Sequence, residues 1–135
     1  MTAGLERFAE LMPFSVHTGV KLDAATADEV VGRLAWAPER CTAGGLMHGG
    51  AVMTLADSCA AVCAFLNLPE GAESTATIES NTSFMRGLRA GTLTAIAKPV
   101  RLTRTLAFLE TELRDSDGRL IAKVSQIQAF SFPRG

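Results

Sequence analysis

The stretch from Gly44 to Leu66 constrains the fold most. It opens on Gly44-Gly45-Leu46-Met47-His48-Gly49-Gly50, a glycine-rich turn. It continues as an unbroken run of small and apolar residues that predicts a helix over 51–66. A helix that is apolar nearly all round belongs in a core rather than on a surface. One carboxylate, Asp57, falls in its middle. An acid buried there must be paired or carry a function, because a buried unpaired charge is costly.

The remainder of the chain bounds what that acid can serve. At 135 residues the sequence predicts a single domain, 1–135, with a real core. Its 47% hydrophobic and 20% charged residues exclude a disordered chain. A net charge of −1 excludes nucleic-acid binding by bulk electrostatics. The apolar run is too short to span a bilayer and carries Thr54, Asp57 and Ser58, so no membrane partner is expected. Near the start, Leu5, Phe8, Leu11 and Met12 are helically spaced and interrupted by Glu6, Arg7 and Glu10, unlike a signal peptide. The expected location is therefore cytoplasmic. Cysteines 41, 59 and 63 are odd in number, and no matched histidines complete a zinc site, so free thiols and no metal are expected.

Taken in order, residues 4–12 predict a short amphipathic helix closed by Pro13. Strands are predicted over 16–22 and 29–36, the second from the alternation of Val30, Gly32, Leu34 and Trp36 with Val31, Arg33 and Ala35. A loop over 38–47 precedes the central helix, and Pro69 and Gly71 end that region. Four further strands are predicted over 74–85, 92–101, 105–114 and 120–132. Asp115-Ser116-Asp117-Gly118 is a hairpin turn. About six strands and one long apolar helix point to an α+β fold, an antiparallel β-sheet wrapped around the helix. A partner subunit could cover the helix further.

The run from Leu46 to Ser58 resembles the H-G-G-x-x-x-x-L-x-D signature of hotdog-fold acyl-CoA thioesterases. The nearest group is the phenylacetate-degradation type, related to a 4-hydroxybenzoyl-CoA thioesterase family. The order of elements over 14–132 agrees, and the N-T-S-F-M-R stretch at 81–86 adds support. The resemblance implies a hotdog fold and hydrolysis of an aryl- or medium-chain acyl-CoA to the carboxylic acid and free CoA, with no metal or other cofactor.

Site residues follow from the same resemblance. Gly49 would give the N–H that stabilises the thioester oxygen as it gains charge, and Gly50 would let substrate approach the helix N-terminus. Asp57 would be nucleophile or general base; the structural alternative is an acid bonded to Thr54, Ser58 or a partner backbone. Asp57 lies eight residues after Gly49, roughly 12 Å along one helix. One thioester carbon cannot touch both in one chain, which, as in the family, implies a homodimer as the smallest active unit; a dimer of dimers is a further expectation that this spacing leaves open. Ala51, Ala56, Ala60, Ala61 and Ala64 would permit close packing of the two subunits. Thr77 matches the position of a Ser or Thr that holds the attacking water, His48 would shape the loop or touch the thioester, and Thr42 stands where many relatives carry Asn or Gln.

No Asp or Glu occurs from Ser80 to Leu109. The basic residues in that span, Arg86, Arg89, Lys98, Arg101 and Arg104, are expected to form one surface, with Arg86, Arg101 and Arg104 on the CoA phosphates. Phe65, Leu66 and Met85 are candidates to line the acyl pocket. Two other readings remain. A non-catalytic acyl-CoA-binding sensor or subunit would gain nothing from a buried acid. A hotdog hydratase or dehydratase needs a histidine–acid pair on an unlike motif, which His17 and His48 do not reproduce.

Overall fold

Period-two alternation and tight turns place the strands. The computed structural model describes residues 2–134. In order it contains α1 (Thr2–Leu11), α2 (Pro13–Thr18), β1 (Lys21–Ala25), β2 (Val30–Ala35), α3 (Gly49–Phe65), β3 (Ser74–Phe84), β4 (Thr92–Leu102), β5 (Leu106–Arg114) and β6 (Leu120–Ser131). The six strands form one antiparallel sheet in the order β1-β2-β4-β5-β6-β3. This is the α+β hotdog architecture expected from the sequence. The β5–β6 turn closes as anticipated: Gly118 has φ +82°, and the Asp115 carboxylate accepts the N–H groups of Asp117 and Arg119 at 3.0 and 2.9 Å.

α3 lies across the inner face of that sheet. Its buried side presents Val52, Leu55, Ala56, Cys59, Ala60, Val62 and Cys63. Opposite stand Val30 and Leu34 of β2, Leu93, Ala95 and Ala97 of β4, Leu113 of β5, and Ala122 and Val124 of β6. Alanine on both surfaces shortens the distance between helix and sheet. Gly32 of β2 extends the same logic, because a Cβ there would stand 2.5 Å from the Cys59 Sγ.

Three expectations are corrected. Residues 13–18 are helical rather than the start of a strand, because Pro13 occupies the first turn, where its fixed φ and missing N–H suit a helix. Gly19, at φ +105°, closes that helix, and the first strand begins only at Lys21. α3 is not buried all round: Gly50, Met53, Asp57 and Phe65 face solvent in the single chain. And Ala56, Ala60 and Ala64 are buried against the protomer itself, so they serve its own core and not a subunit contact. Among the described residues no helix is long and apolar enough to cross a membrane.

The cysteines are free, as expected. Burial pushes the Cys59 thiol up to about 12 and the Cys63 thiol up to about 11. An unfolded thiol ionises near 9.0, so the unfolded chain loses these protons first as pH rises. The stability tied to the neutral thiols is complete below that value and is lost above it. Between pH 9 and pH 11 the urea midpoint should fall, and fall less in Cys59→Ala than in the wild type. The Gly32–Cys59 contact gives a second expectation. Gly32→Ala overpacks the site and should cost about 1–3 kcal/mol. Gly32→Ala combined with Cys59→Ala should recover most of that loss in the same denaturation experiment, since the second change removes the sulfur in the way.

Candidate active site

The glycine turn is held from several sides. Trp36 donates its indole N–H to the Gly45 carbonyl at 2.9 Å, and Arg89 donates to the Gly44 carbonyl at 2.7 Å. The backbone N–H groups of Met47 and His48 bond to the Leu88 and Arg40 carbonyls, each at 2.8 Å. Gly44 and Gly45 both sit at positive φ, +75° and +73°, which glycine adopts without strain. The loop therefore delivers the N-terminus of α3 in a fixed position.

His48 caps that helix. Its Nδ1 accepts the Gly50 N–H at 2.8 Å, which leaves Nε2 as the protonated nitrogen of the neutral ring. A Cβ at Gly50 would lie 2.9 Å from Nδ1, so the ring needs a glycine beneath it. The Gly49 N–H, at the first helical position, has no bonded partner among the described residues. Clefts open on both flanks of this turn. One of about 410 Å³ is lined by Thr42, Gly49, Phe84, Met85 and Arg86. The other, of about 740 Å³, is lined by Phe14, His17, Cys41, His48 and Thr54.

Asp57 sits two turns further along α3. It is exposed in the single chain, so burial does not explain it. Thr54 and Ser58, its anticipated partners, instead bond back to the Gly50 and Thr54 carbonyls at 2.8 and 2.6 Å. Asp57 bonds to the sheet. Its Oδ1 accepts the Thr77 hydroxyl at 2.9 Å and Nε2 of Gln126 at 2.7 Å. Because an ionised carboxylate only accepts, the Thr77 proton must point to it. The Thr77 oxygen then accepts Nε2 of Gln128 at 2.6 Å and Nε2 of Gln126 at 3.1 Å. Gln128 Oε1 in turn accepts the Thr75 hydroxyl at 3.0 Å. The network runs in one direction, and it leaves the Thr77 hydroxyl with its proton and both lone pairs in use.

Sequence reasoning found Asp57 and Thr77 but missed Gln126, Gln128 and Thr75. The signal was present. Inward positions of β6 read Ala122, Val124, Gln126, Gln128 and Phe130, so two amides fall on the buried parity of an otherwise apolar strand.

The remaining candidates separate. Gly49 opens α3 and Asp57 lies at its middle, two turns away. A Cβ at Gly49 would be 3.3 Å from the Phe84 ring, at one end of β3, while Asp57 bonds Thr77 in its other half. The basic residues do not form one surface in a protomer. Arg86 lines the cleft beside Gly49. Lys98 pairs with Glu29 at 3.5 Å. Arg101 pairs in register with Phe108, whose neighbours Ala107 and Leu109 are buried, and so lies on the outer face of the sheet. Arg104 stacks 4.7 Å over the Phe132 ring at the far end of the sheet from Arg86. Of the proposed acyl-pocket residues only Met85 reaches a cleft beside Gly49; Phe65 meets Phe8 edge to face at 6.2 Å.

A model of the Thioesterase superfamily matches residues 44–122, from the glycine turn to the start of β6. The chain belongs to this superfamily. It is 35% identical over 75 residues to the esterase-class protein PA1618 of Pseudomonas aeruginosa, covering 56% of this chain and 52% of that one. It is 34% identical over 76 residues to the 1,4-dihydroxy-2-naphthoyl-CoA hydrolase of Escherichia coli, covering 56% and 55%. The chain thus spans about half the length of these relatives in the matched segments. Among solved structures, a mutant of thioesterase PA1618 superposes with TM-score 0.87 at 24% identity over 94% of this chain and 93% of that one. A mutant of the phenylacetic acid degradation protein PaaI from Thermus thermophilus superposes with TM-score 0.79 at 26% identity, over 89% and 99%. Asp57, Thr77 and the glycine turn fall inside the superfamily match; Gln126 and Gln128 fall outside it.

The His48 cap separates two roles by mutation. His48→Ala removes the acceptor for Gly50 N–H and should cost about 1 kcal/mol of stability. His48→Asn, a good helix cap, should retain the stability while losing the Nε2–H. Thermal melts of the two variants beside the wild type check these two stabilities.

Proposed function

We propose that the chain is an acyl-CoA thioesterase that works as a homodimer. The observation that carries this is Asp57: an accessible carboxylate in the superfamily motif, anchored through Oδ1, with no partner for Oδ2 or for the Gly49 N–H on the same helix among the described residues. As general base, Oδ2 takes a proton from water while the water oxygen adds to the thioester carbon. As nucleophile, Oδ2 adds directly and water then cleaves the mixed anhydride. In either route the carbonyl oxygen gains charge against the Gly49 N–H of the other subunit, and collapse expels the CoA thiolate. A binding subunit has no use for such a carboxylate.

The edge strand supports the dimer. β3 ends the sheet, runs 11 residues, and is almost wholly exposed, with Ile78 at 59% and Phe84 at 52%. A long exposed edge strand with one side unpaired is a site for pairing with another strand. If two copies of β3 pair antiparallel so that Phe84 of one faces Thr77 of the other, the Gly49 half-site meets the Asp57 half-site twice, once on each side of a two-fold axis between Ser80 and Asn81. The same pairing brings Arg104 of one chain toward Arg86 of the other, which would gather a basic mouth for the CoA phosphates from two subunits; Arg101 stays on the outer face. That outer face carries Val100, Phe108 and Ile127, which suits a dimer of dimers. An aromatic acyl group is the favoured substrate, from the relatives named for naphthoyl-CoA and phenylacetic acid and from Phe84 and Met85 in the cleft beside Gly49. A CoA-ester substrate also fits the cytoplasmic location expected from the sequence.

Asp57→Asn should lower kcat roughly a hundredfold or more, while melting temperature and acyl-CoA affinity hold. Gly49→Pro removes the other half-site's N–H at the helical position that best tolerates proline, and His48 already has the extended backbone, φ −60° and ψ 135°, that proline asks of its predecessor. Co-refolding the two inactive chains should restore roughly a quarter of wild-type thiol release, since half the dimers are mixed and each holds one intact site. Demonstrated mixed dimers with no recovered activity would overturn the shared site, and a turnover near wild type in Asp57→Asn would overturn the chemistry.

A further inference from the structure

We propose that Gln126 is a positioning residue for this reaction, fixing Asp57 through Oδ1 so that Oδ2 is the oxygen that reacts. The inference rests on the catalytic reading of Asp57.

Gln126 is 2% exposed, in the sheet face beneath α3. A buried amide is stabilising only where its polar atoms are bonded. Gln126 spends both Nε2 protons on one purpose, one on Asp57 Oδ1 at 2.7 Å and one on Thr77 Oγ1 at 3.1 Å. Its Oε1 has no hydrogen-bond partner among the described residues. For the core alone, an apolar side chain would suit this position better, as Val124 does two residues earlier. The amide is thus a poor choice for packing and an apt one for holding a carboxylate.

Its orientation is fixed by chemistry, since only the NH₂ end can face an ionised acid. An aspartate on an exposed helix face is otherwise free to turn about χ1 and χ2. Two donors from different strands, Thr77 of β3 and Gln126 of β6, converge on the same oxygen and hold the carboxylate plane. Gln128 and Thr75 orient Thr77 in turn. The consequence is a division of labour: Oδ1 is committed to the sheet, and Oδ2 stays open toward solvent and the neighbouring half-site.

The test uses the purified full chain and an aromatic acyl-CoA that it turns over. Gln126→Met keeps the length and fills the space without a donor. It should lower kcat on the order of tenfold to a hundredfold through misplacement of the acid, with KM within about twofold and a melting temperature equal to or above wild type. Gln126→Glu keeps the shape but turns an acceptor toward Asp57, and its kcat should fall below that of Gln126→Met. Wild-type kcat in Gln126→Met would overturn the inference. So would a lowered melting temperature with unchanged kcat per folded molecule, or a Gln126→Glu variant as active as Gln126→Met. Asp57→Asn in parallel separates the two levels: if it is active, the chemistry assigned to Asp57 fails, whereas inactive Asp57→Asn beside fully active Gln126→Met removes only the role of Gln126.

Discussion

The close approach of α3 to the sheet is what the rest of the structure depends on. Small residues on both surfaces, Ala56 and Ala60 on the helix and Ala95, Ala97 and Ala122 on the strands, let the helix lie low across β4 and its neighbours. Only at that height do side chains from β3 and β6 reach a carboxylate on the helix flank. Thr77 is a short side chain and bonds Asp57 directly; Gln126 needs its full length to do the same. A bulkier core residue would raise the helix and break the polar contacts before it broke the hydrophobic ones, because hydrogen bonds weaken steeply with distance.

Much of this was legible in the sequence, and the reasons are physical. The four strands after the helix were found within a residue or two, because long β-prone runs separated by short breaks are a strong signal and Gly118 marks the last turn. The second helix was misread because proline both ends helices and begins them, and only Gly19 six residues later distinguishes the two. The acid was found for a reason that proved wrong. Hydropathy around the helix suggested burial on every side, but apolar residues such as Met53 and Phe65 lie on its open side along with Asp57. Composition cannot tell a face turned to the core from a face left for a partner.

The basic residues show a different limit. Closeness in sequence placed Arg86 and Arg104 in one patch, yet β4 separates them, and an 11-residue strand spans roughly 37 Å at about 3.4 Å per residue. The glutamines show the opposite case, in which distance in sequence hid proximity. Gln126 is 69 positions from Asp57 and meets it because α3 packs over the inner face of β6; Thr77 joins them because β3 is the sheet neighbour of β6, although β4 and β5 separate the two in sequence.

Edge strand and site are then parts of one arrangement. β3 is the element on which both half-sites stand, Phe84 against Gly49 and Thr77 against Asp57, and it is also the strand left without a partner on one side. In the proposed dimer, pairing two such edges would satisfy the unpaired backbone groups, cover Ile78, and in the same step set an N–H donor against a carboxylate that no single helix could bring together. A thioesterase built as proposed would need no loop to close over its substrate in order to join donor and acid; assembly would do that. The polar network under α3 fits that proposal, because it already fixes one oxygen of Asp57 within the protomer. Folding of each protomer orients Asp57; in the proposed dimer, association would set it opposite the Gly49 N–H of the other subunit, with the substrate carbonyl between them.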